Sequence, residues 1–266
     1  MTMDASEVTN TGSTPSTSRS SFLADLMDPT CPIPTYAYRG PEEFLKDKED
    51  AFNRYLSTSD IFSDVRAYDG QAGAVLLLIV SDAHHAAASA FDNFLNNAVN
   101  RQGLNLTPCE GTRQTAEDGS KNPDGAWRPS RLPRDRSVIW PSIVLEVSYS
   151  ETRAKLMSDI RWWFRASLGD VKVVMTVDID RHSPIIVIEQ WVRDRIGRHR
   201  QQTIRITNSG AGAVIIGAPL KLSHERIFLG PPATPAEGTI WIREPALKNF
   251  AEAVWENQGF KDVERM

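Results

Sequence analysis

Two acidic residues stand 22 positions apart on what read as successive β-strands, Asp124 in NPDGAW and Glu146 in SIVLEVSYS. The residues around Glu146 are apolar, so its carboxylate should be buried, where an unpaired charge costs several kcal/mol. Mg²⁺ prefers hard oxygen ligands, with one or two carboxylates completed by water and substrate phosphate. Two carboxylates that converge from adjacent strands therefore predict a Mg²⁺ or Mn²⁺ site. A nearby lysine could then assist phosphodiester hydrolysis by metal-activated water.

Each acid also has a structural interpretation. Glu146 could be a carboxylate at a strand end, held by an arginine or by backbone N–H groups. Asp124 lies in NPDG, which is a turn sequence because Asp and Gly both suit tight turns. These alternatives remain open from the residues alone.

The chemistry-bearing strings resemble a known superfamily. The succession of P-D-x-x-W, PSIVLEVSYSE and L-x-x-D-x-x-W-W, followed by VKVV, resembles the PD-(D/E)XK restriction-endonuclease-like superfamily. The resemblance is greatest to fungal members of unassigned function. It is more distant to a bacterial group of nucleases that shares the E-V-x-S strand end. It covers roughly Leu106 to Val177.

The resemblance implies a mixed sheet flanked by helices and a nuclease-like activity on DNA or RNA with Mg²⁺. It places Asp124 and Glu146 at the two acidic motif positions. The motif lysine, two residues beyond the second acid, is replaced by Ser148. In some members this lysine lies on the following helix, where Lys155 is the candidate here. Glu43, in the first predicted helix, and Ser148 are accessory candidates.

The missing motif lysine leaves two further functions open. The domain could have lost catalysis and act as a nucleic-acid-binding or protein-binding module. It could also be an unrelated α/β binding protein in which both acidic strings are coincidental. Nucleases of this type often pair, so a homodimer is one expected arrangement, although the sequence leaves the oligomeric state open.

The predicted helix after Glu146 aligns four residues on one face: Lys155, Asp159, Trp162 and Trp163 at i, i+4, i+7 and i+8. That face could turn Lys155 toward Glu146. A surface ion pair between Lys155 and Glu151, four residues earlier, is the structural alternative. The two tryptophans are interpreted as anchors that pack the helix on the sheet.

A basic cluster surrounds a predicted hairpin turn at Gly197. Its candidate nucleic-acid contacts are Arg195, Arg198 and Arg200, because arginines can meet phosphates. A solvated hairpin, protected from aggregation by its charges, is the alternative. His84 and His85 are interpreted as ordinary helix residues because no third metal ligand accompanies them.

Periodicity and turn residues predict the elements that position these groups. An α/β fold is expected, with a mixed central sheet of about five or six strands and helices on both faces. Residues 1–40 are rich in Ser and Thr and are predicted to form a disordered tail. Residues 41–262 are predicted to form one domain.

Composition limits the function classes and cellular locations that are expected for the protein. The net charge of −4 argues against a protein that coats nucleic acid non-specifically. Cys31 and Cys109 have no Cys or His neighbours at metal-ligand spacing, so an intracellular, cytoplasmic or nuclear location is expected. The longest apolar run, Ala72–Val80, is shorter than the ~20 residues of a membrane span.

Overall fold

The computed structural model describes residues 81–109, 114–116, 119–149, 153–210, 212–235 and 238–260, and the backbone of strands 35–37, 63–69 and 74–79. Most of the predicted tail, the predicted helix near Pro41, Glu43 and Glu151 lie outside the described residues. The predicted limits of the tail and of the domain therefore remain predictions.

The secondary structure follows the strand and helix patterns of the sequence. The strands are β1 (Thr35–Ala37), β2 (Ser63–Asp69), β3 (Ala74–Ile79), β4 (Leu106–Pro108), β5 (Gln114–Ala116), β6 (Gly119–Lys121), β7 (Gly125–Pro129), β8 (Ile143–Ser148), β9 (Val173–Ile179), β10 (Ile185–Asp194), β11 (Gly197–Asn208), β12 (Ala213–Ile216), β13 (Leu220–Ser223) and β14 (Thr239–Ile242). The helices are α1 (Asp82–Asn100), α2 (Arg153–Ala166), α3 (His224–Phe228) and α4 (Glu244–Gln258).

The central sheet has seven strands in the order β12-β11-β10-β9-β8-β7-β4. It is mixed because β8 and β9 run parallel while their outer neighbours are antiparallel. The mixed α/β class is confirmed, but the sheet exceeds the predicted five or six strands. Its two edge strands, β4 and β12, have only three and four residues, too few for a period-two pattern to be recognised.

Helices cover both faces of this sheet. On one face, apolar residues of α1 and α4 pack with Ile143, Leu145 and Val147 of β8. On the other face, α2 packs with Val144 of β8 and Val174 of β9. Because successive residues of a strand point to opposite faces, Glu146 and Ser148 share the α2 face with Val144.

A second sheet adjoins the first through a short connection. It has five strands in the order β1-β3-β2-β6-β5. Strand β6 ends at Lys121 and β7 begins at Gly125, so only residues 122–124 separate a strand of one sheet from a strand of the other. Asp124 is the last residue of this connection. Strands β13 and β14 form a separate two-stranded sheet.

Ser81 caps the N-terminus of α1. The side chain of Ser81 accepts a hydrogen bond from the backbone N–H of His84, at 3.2 Å. Gly103, just after the helix, adopts a positive φ of 71°. No helix in the described part of the chain combines the length and apolar character needed to cross a membrane.

Gly217, after β12, permits a close approach of two backbone segments. Its φ is 91°, and a Cβ atom there would lie 2.3 Å from the carbonyl oxygen of Thr203. We expect Gly217→Ala to lower the free energy of unfolding by about 2–3 kcal/mol. The matched control is Gly103→Ala, which has a similar φ but no atom within 4 Å and should cost about 1 kcal/mol. Urea denaturation measures both, and equal losses would contradict the clash.

Candidate active site

Glu146 is a buried carboxylate on the α2 face of β8. Its exposed fraction is 1%, and the fully buried Trp163 of α2 donates its indole N–H to Oε1 of Glu146. Trp162 and Trp163 are buried as predicted. Hydrogen bonding by Trp163 to the acid was not predicted. Part of the cost of burying this carboxylate is thus offset by a hydrogen bond from the helix that covers it.

Asp124 is anchored to β8 beside Glu146. Its backbone N–H donates to the carbonyl of Leu145 at 3.1 Å, and its Oδ2 accepts from the backbone N–H of Val147 at 2.6 Å. Its Oδ1 lies 3.1 Å from Nε2 of the buried His84. His84, interpreted from the sequence as an ordinary helix residue, therefore contacts a candidate site residue.

The two predicted metal ligands, Asp124 and Glu146, lie at the same segment of β8 but contact different helices. Asp124 contacts His84 of α1, which lies on one face of the sheet, whereas Glu146 contacts Trp163 of α2 on the other. Among the described residues, no group of three or more His, Cys, Asp or Glu side chains could hold a metal ion. Any cation here would therefore take at most these two carboxylates from that part of the chain.

Lys155 belongs to a buried charged cluster. The predicted helical face is confirmed, and on it Lys155 forms an ion pair with Asp159, four residues later. Asp159 also pairs with Lys121 at the end of β6. The exposed fractions of Lys121, Lys155 and Asp159 are 8%, 3% and 1%. Sequence reasoning did not single out Lys121, although it stands only three residues before Asp124.

A row of polar side chains crosses the sheet at the level of Glu146. Thr176 of β9 is in register with Glu146 of β8 and with Glu189 of β10. Residues paired in this way point to the same face. The hydroxyl of Thr176 is buried and has no hydrogen-bond partner in the described structure. Glu189 is 3% exposed and is bound by Arg153 and Arg200, each at 2.6 Å.

Ser148, the residue at the motif lysine position, is also buried and bonded. It is 1% exposed and forms a side-chain hydrogen bond with Asp178 of β9. Burial raises the pKa of the Asp178 carboxyl above its ordinary value of 3.8, against the lowering effects of Arg153 and of the Ser148 hydrogen bond. Ser148 therefore serves as a partner for a half-buried acid.

This raised pKa predicts a pH dependence. A folded-state pKa above the unfolded value means that Asp178 destabilises the fold increasingly as pH rises from 3.8 through the folded pKa. We expect Asp178→Asn to gain stability relative to the wild type as pH rises from 3 to 7. The matched control is Asp180→Asn. A hydrogen bond from the backbone N–H of His182 lowers the pKa of Asp180, so this variant should lose relative stability over the same range. Urea denaturation at several pH values distinguishes the two, and parallel curves would contradict the assignment.

The predicted basic contacts lie on the hairpin of β10 and β11. Two residues, Arg195 and Ile196, connect these strands, and Gly197 begins β11 with a φ of 123°. Arg195 and Arg198 are exposed at this tip. Arg200 differs from them, because its guanidinium binds Glu189 and lies 6.0 Å from the ring centre of Trp191.

Comparison with known proteins gives little information about this site. No protein-family model matches the sequence, and no curated protein is significantly similar to it. A solved structure from Anabaena variabilis ATCC 29413, described as a "putative nuclease belonging to DUF820", is similar at 16% sequence identity and a TM-score of 0.40. That match covers 75% of this chain and 97% of the other. A similarity at this level says nothing about what this chain binds or cleaves.

Proposed function

We propose that the part of β8 around Glu146, where Asp124 is also anchored, is the catalytic site of a metal-dependent nuclease that hydrolyses phosphodiester bonds of DNA or RNA. The main support is the concentration of charge beneath α2. Glu146, Asp159, Lys121 and Lys155 are all at most 8% exposed, beside the apolar cluster that packs α2 on the sheet. Buried charges are costly unless paired, and concentrations of them mark functional sites. The sequence resemblance to PD-(D/E)XK nucleases supports the same assignment.

Asp124 and Glu146 would hold Mg²⁺ or Mn²⁺. An ionised carboxylate offers about four lone-pair sites, so its hydrogen bond from Val147 or Trp163 does not prevent it from binding a cation. The unpartnered hydroxyl of Thr176, in register with Glu146, adds a neutral oxygen on the same face. These hard oxygen donors fit a cation that keeps water and phosphate as its other ligands. When bound, the cation would supply the activated water.

The lysines would act on the phosphate. Lys155 and Lys121 carry the positive charge of the site, and both form ion pairs with Asp159. When a phosphate approaches these charges, the two lysines would exchange their contacts with Asp159 for contacts with the phosphate. Lys155 would then stabilise the charge that develops on the phosphate in the transition state. Arg195 and Arg198, exposed on the hairpin, are proposed as weaker contacts to nucleic acid.

A non-catalytic binding module is the second candidate. The observation that favours it is Ser148, which replaces the motif lysine and is hydrogen-bonded to Asp178. In such a protein the charged cluster would be structural, and nucleic acid or another protein would bind without being cleaved. An intracellular location and a homodimeric arrangement fit either candidate.

A cleavage assay separates the two candidates. The full-length protein is incubated with labelled single-stranded and double-stranded DNA and RNA, in Mg²⁺, in Mn²⁺ and in EDTA. Catalysis predicts products that require the metal and that disappear with Glu146→Gln. If wild type and variant are equally inert on every substrate, hydrolysis is excluded. Binding of the labelled nucleic acid by the protein, without cleavage, would then support the binding module.

A further inference from the structure

A charged cavity lies at the opposite end of the parallel strands from Ser148. It has a volume of about 600 Å³. Its walls come from the loop 133–136, from Lys172 just before β9, and from α3 with its two flanking residues, Ser223 and Leu229. The backbone N–H of Lys172 donates to the carbonyl of Ser142, at 2.9 Å, where β8 begins. We call this cavity the basic pocket, defined by Arg134, Arg136, Lys172 and Arg226.

The basic pocket gathers more cations than acids. Its lining contains these four basic side chains and two acids, Asp135 and Glu225. A third acid, Asp170, binds Arg136 from outside the lining. Burial lowers the pKa of Lys172, and the nearby guanidinium groups of Arg136 and Arg226 lower it further. The fold therefore holds like charges close enough to destabilise one another.

The cations are held in place by the surrounding backbone. The hydroxyl of Ser142 donates to the carbonyl of Ile227 at 2.7 Å, which fixes α3 against the start of β8. Nζ of Lys172 donates to the carbonyl of Gly169 at 2.6 Å, and Arg136 donates to the carbonyl of Asp170, also at 2.6 Å. Nε of Arg136 is buried without a hydrogen-bond partner in the described part of the chain.

The backbone of the pocket is itself strained. Asp135 and Leu229, which both line it, have positive φ values of 67° and 62°. Residues other than glycine adopt this region at a cost, and such residues concentrate at ligand-binding positions. The pocket thus combines strained loops, crowded cations and an unpartnered guanidinium nitrogen.

We propose that the basic pocket binds a phosphate group. A phosphate dianion would relieve the repulsion among Arg136, Lys172 and Arg226 and would accept hydrogen bonds from guanidinium groups, which suit its geometry. The same chemistry is offered by a free phosphate and by the backbone of a nucleic acid. The proposal does not depend on hydrolysis at Glu146, because the two places share no residue.

Calorimetric titration with inorganic phosphate tests this proposal on the full-length protein. We expect binding to the wild type in chloride buffer of matched ionic strength, and binding at least about tenfold weaker to Arg226→Gln, since a charge-assisted hydrogen bond is lost. Arg134→Gln, at an exposed position on the pocket, is a second variant that should weaken binding without disturbing the fold. The matched control is Arg131→Gln, an exposed arginine outside the pocket, which should bind as the wild type does.

Two outcomes would overturn the proposal: no detectable phosphate binding to the wild type, or equal binding by all four proteins. Circular dichroism shows whether each variant is folded. The source of the phosphate is resolved by repeating the titration with a short oligonucleotide and with inorganic phosphate as competitor. Competition that depends on Arg226 supports a nucleic-acid backbone as ligand. Binding of inorganic phosphate alone supports a small phosphate.

Discussion

Replacing Asp159 by asparagine is expected to lower the free energy of unfolding by about 3 kcal/mol, because removing one member of a buried ion cluster leaves opposite charge behind. Asp159 pairs with both Lys121 and Lys155, and all three side chains are nearly inaccessible to water. Asparagine preserves the shape but not the charge. Both ammonium groups would then remain in a low-dielectric layer without this carboxylate.

Urea denaturation measures this loss. The matched control is Glu252→Gln, which breaks the exposed pair between Lys248 and Glu252, also spaced i to i+4, and should cost less than about 0.5 kcal/mol. A triple variant, Asp159→Leu with Lys121→Met and Lys155→Met, removes the charge of Asp159 together with those of its two lysine partners and should recover part of the stability. If Asp159→Asn costs no more than Glu252→Gln, the cluster is not a buried ion network.

Replacing Glu146 by glutamine is expected to reduce the proposed metal-dependent cleavage by at least about 100-fold, since even supporting residues of metal sites contribute 10–100-fold to affinity or activity. Glutamine can still accept the hydrogen bond from Trp163 through its carbonyl oxygen. It lacks the charge needed to hold a divalent cation.

The cleavage assay needs a control with the same local structure. Asp92 of α1 accepts a hydrogen bond from the indole of the buried Trp127 at 2.8 Å, on the other face of the sheet, much as Glu146 accepts from Trp163. Asp92→Asn should therefore leave cleavage unchanged. Equal loss in both variants would indicate a general structural effect. Cleavage by Glu146→Gln at the wild-type rate would remove Glu146 from the catalytic site.

Much of the fold was predictable because its signals are local. The strand around Glu146 and the helix carrying Lys155 both form where the apolar pattern indicated. The short strands β4, β5, β6 and β12 were not predicted, since three or four residues carry no readable period. Strand β4 pairs with β7, and β6 pairs with β2, and both partners are distant in sequence.

The candidate site was predictable in part. Asp124 and Glu146 were identified by residue type, and the structure attaches Asp124 to β8 beside Glu146. Arg200 was predicted from the sequence to contact nucleic acid. Its ion pair with Glu189 could not be predicted, because it depends on the register of β10 with β11. The basic pocket could not be predicted, because Arg136, Lys172 and Arg226 come from three separate segments.

The sequence by itself determined which residues share a helical face or a strand face, because periods of 3.6 and 2 are properties of the local chain. It thereby aligned Lys155 with Asp159 and Trp163, and Glu146 with Ser148. Only the tertiary structure decided that Lys121 joins Asp159, since 38 residues separate them and no local pattern links β6 to α2. The partners of buried charges are set by how distant segments pack. Here that packing placed Lys121 of β6 against Asp159 of α2, and Glu146 of β8 against Trp163 of the same helix.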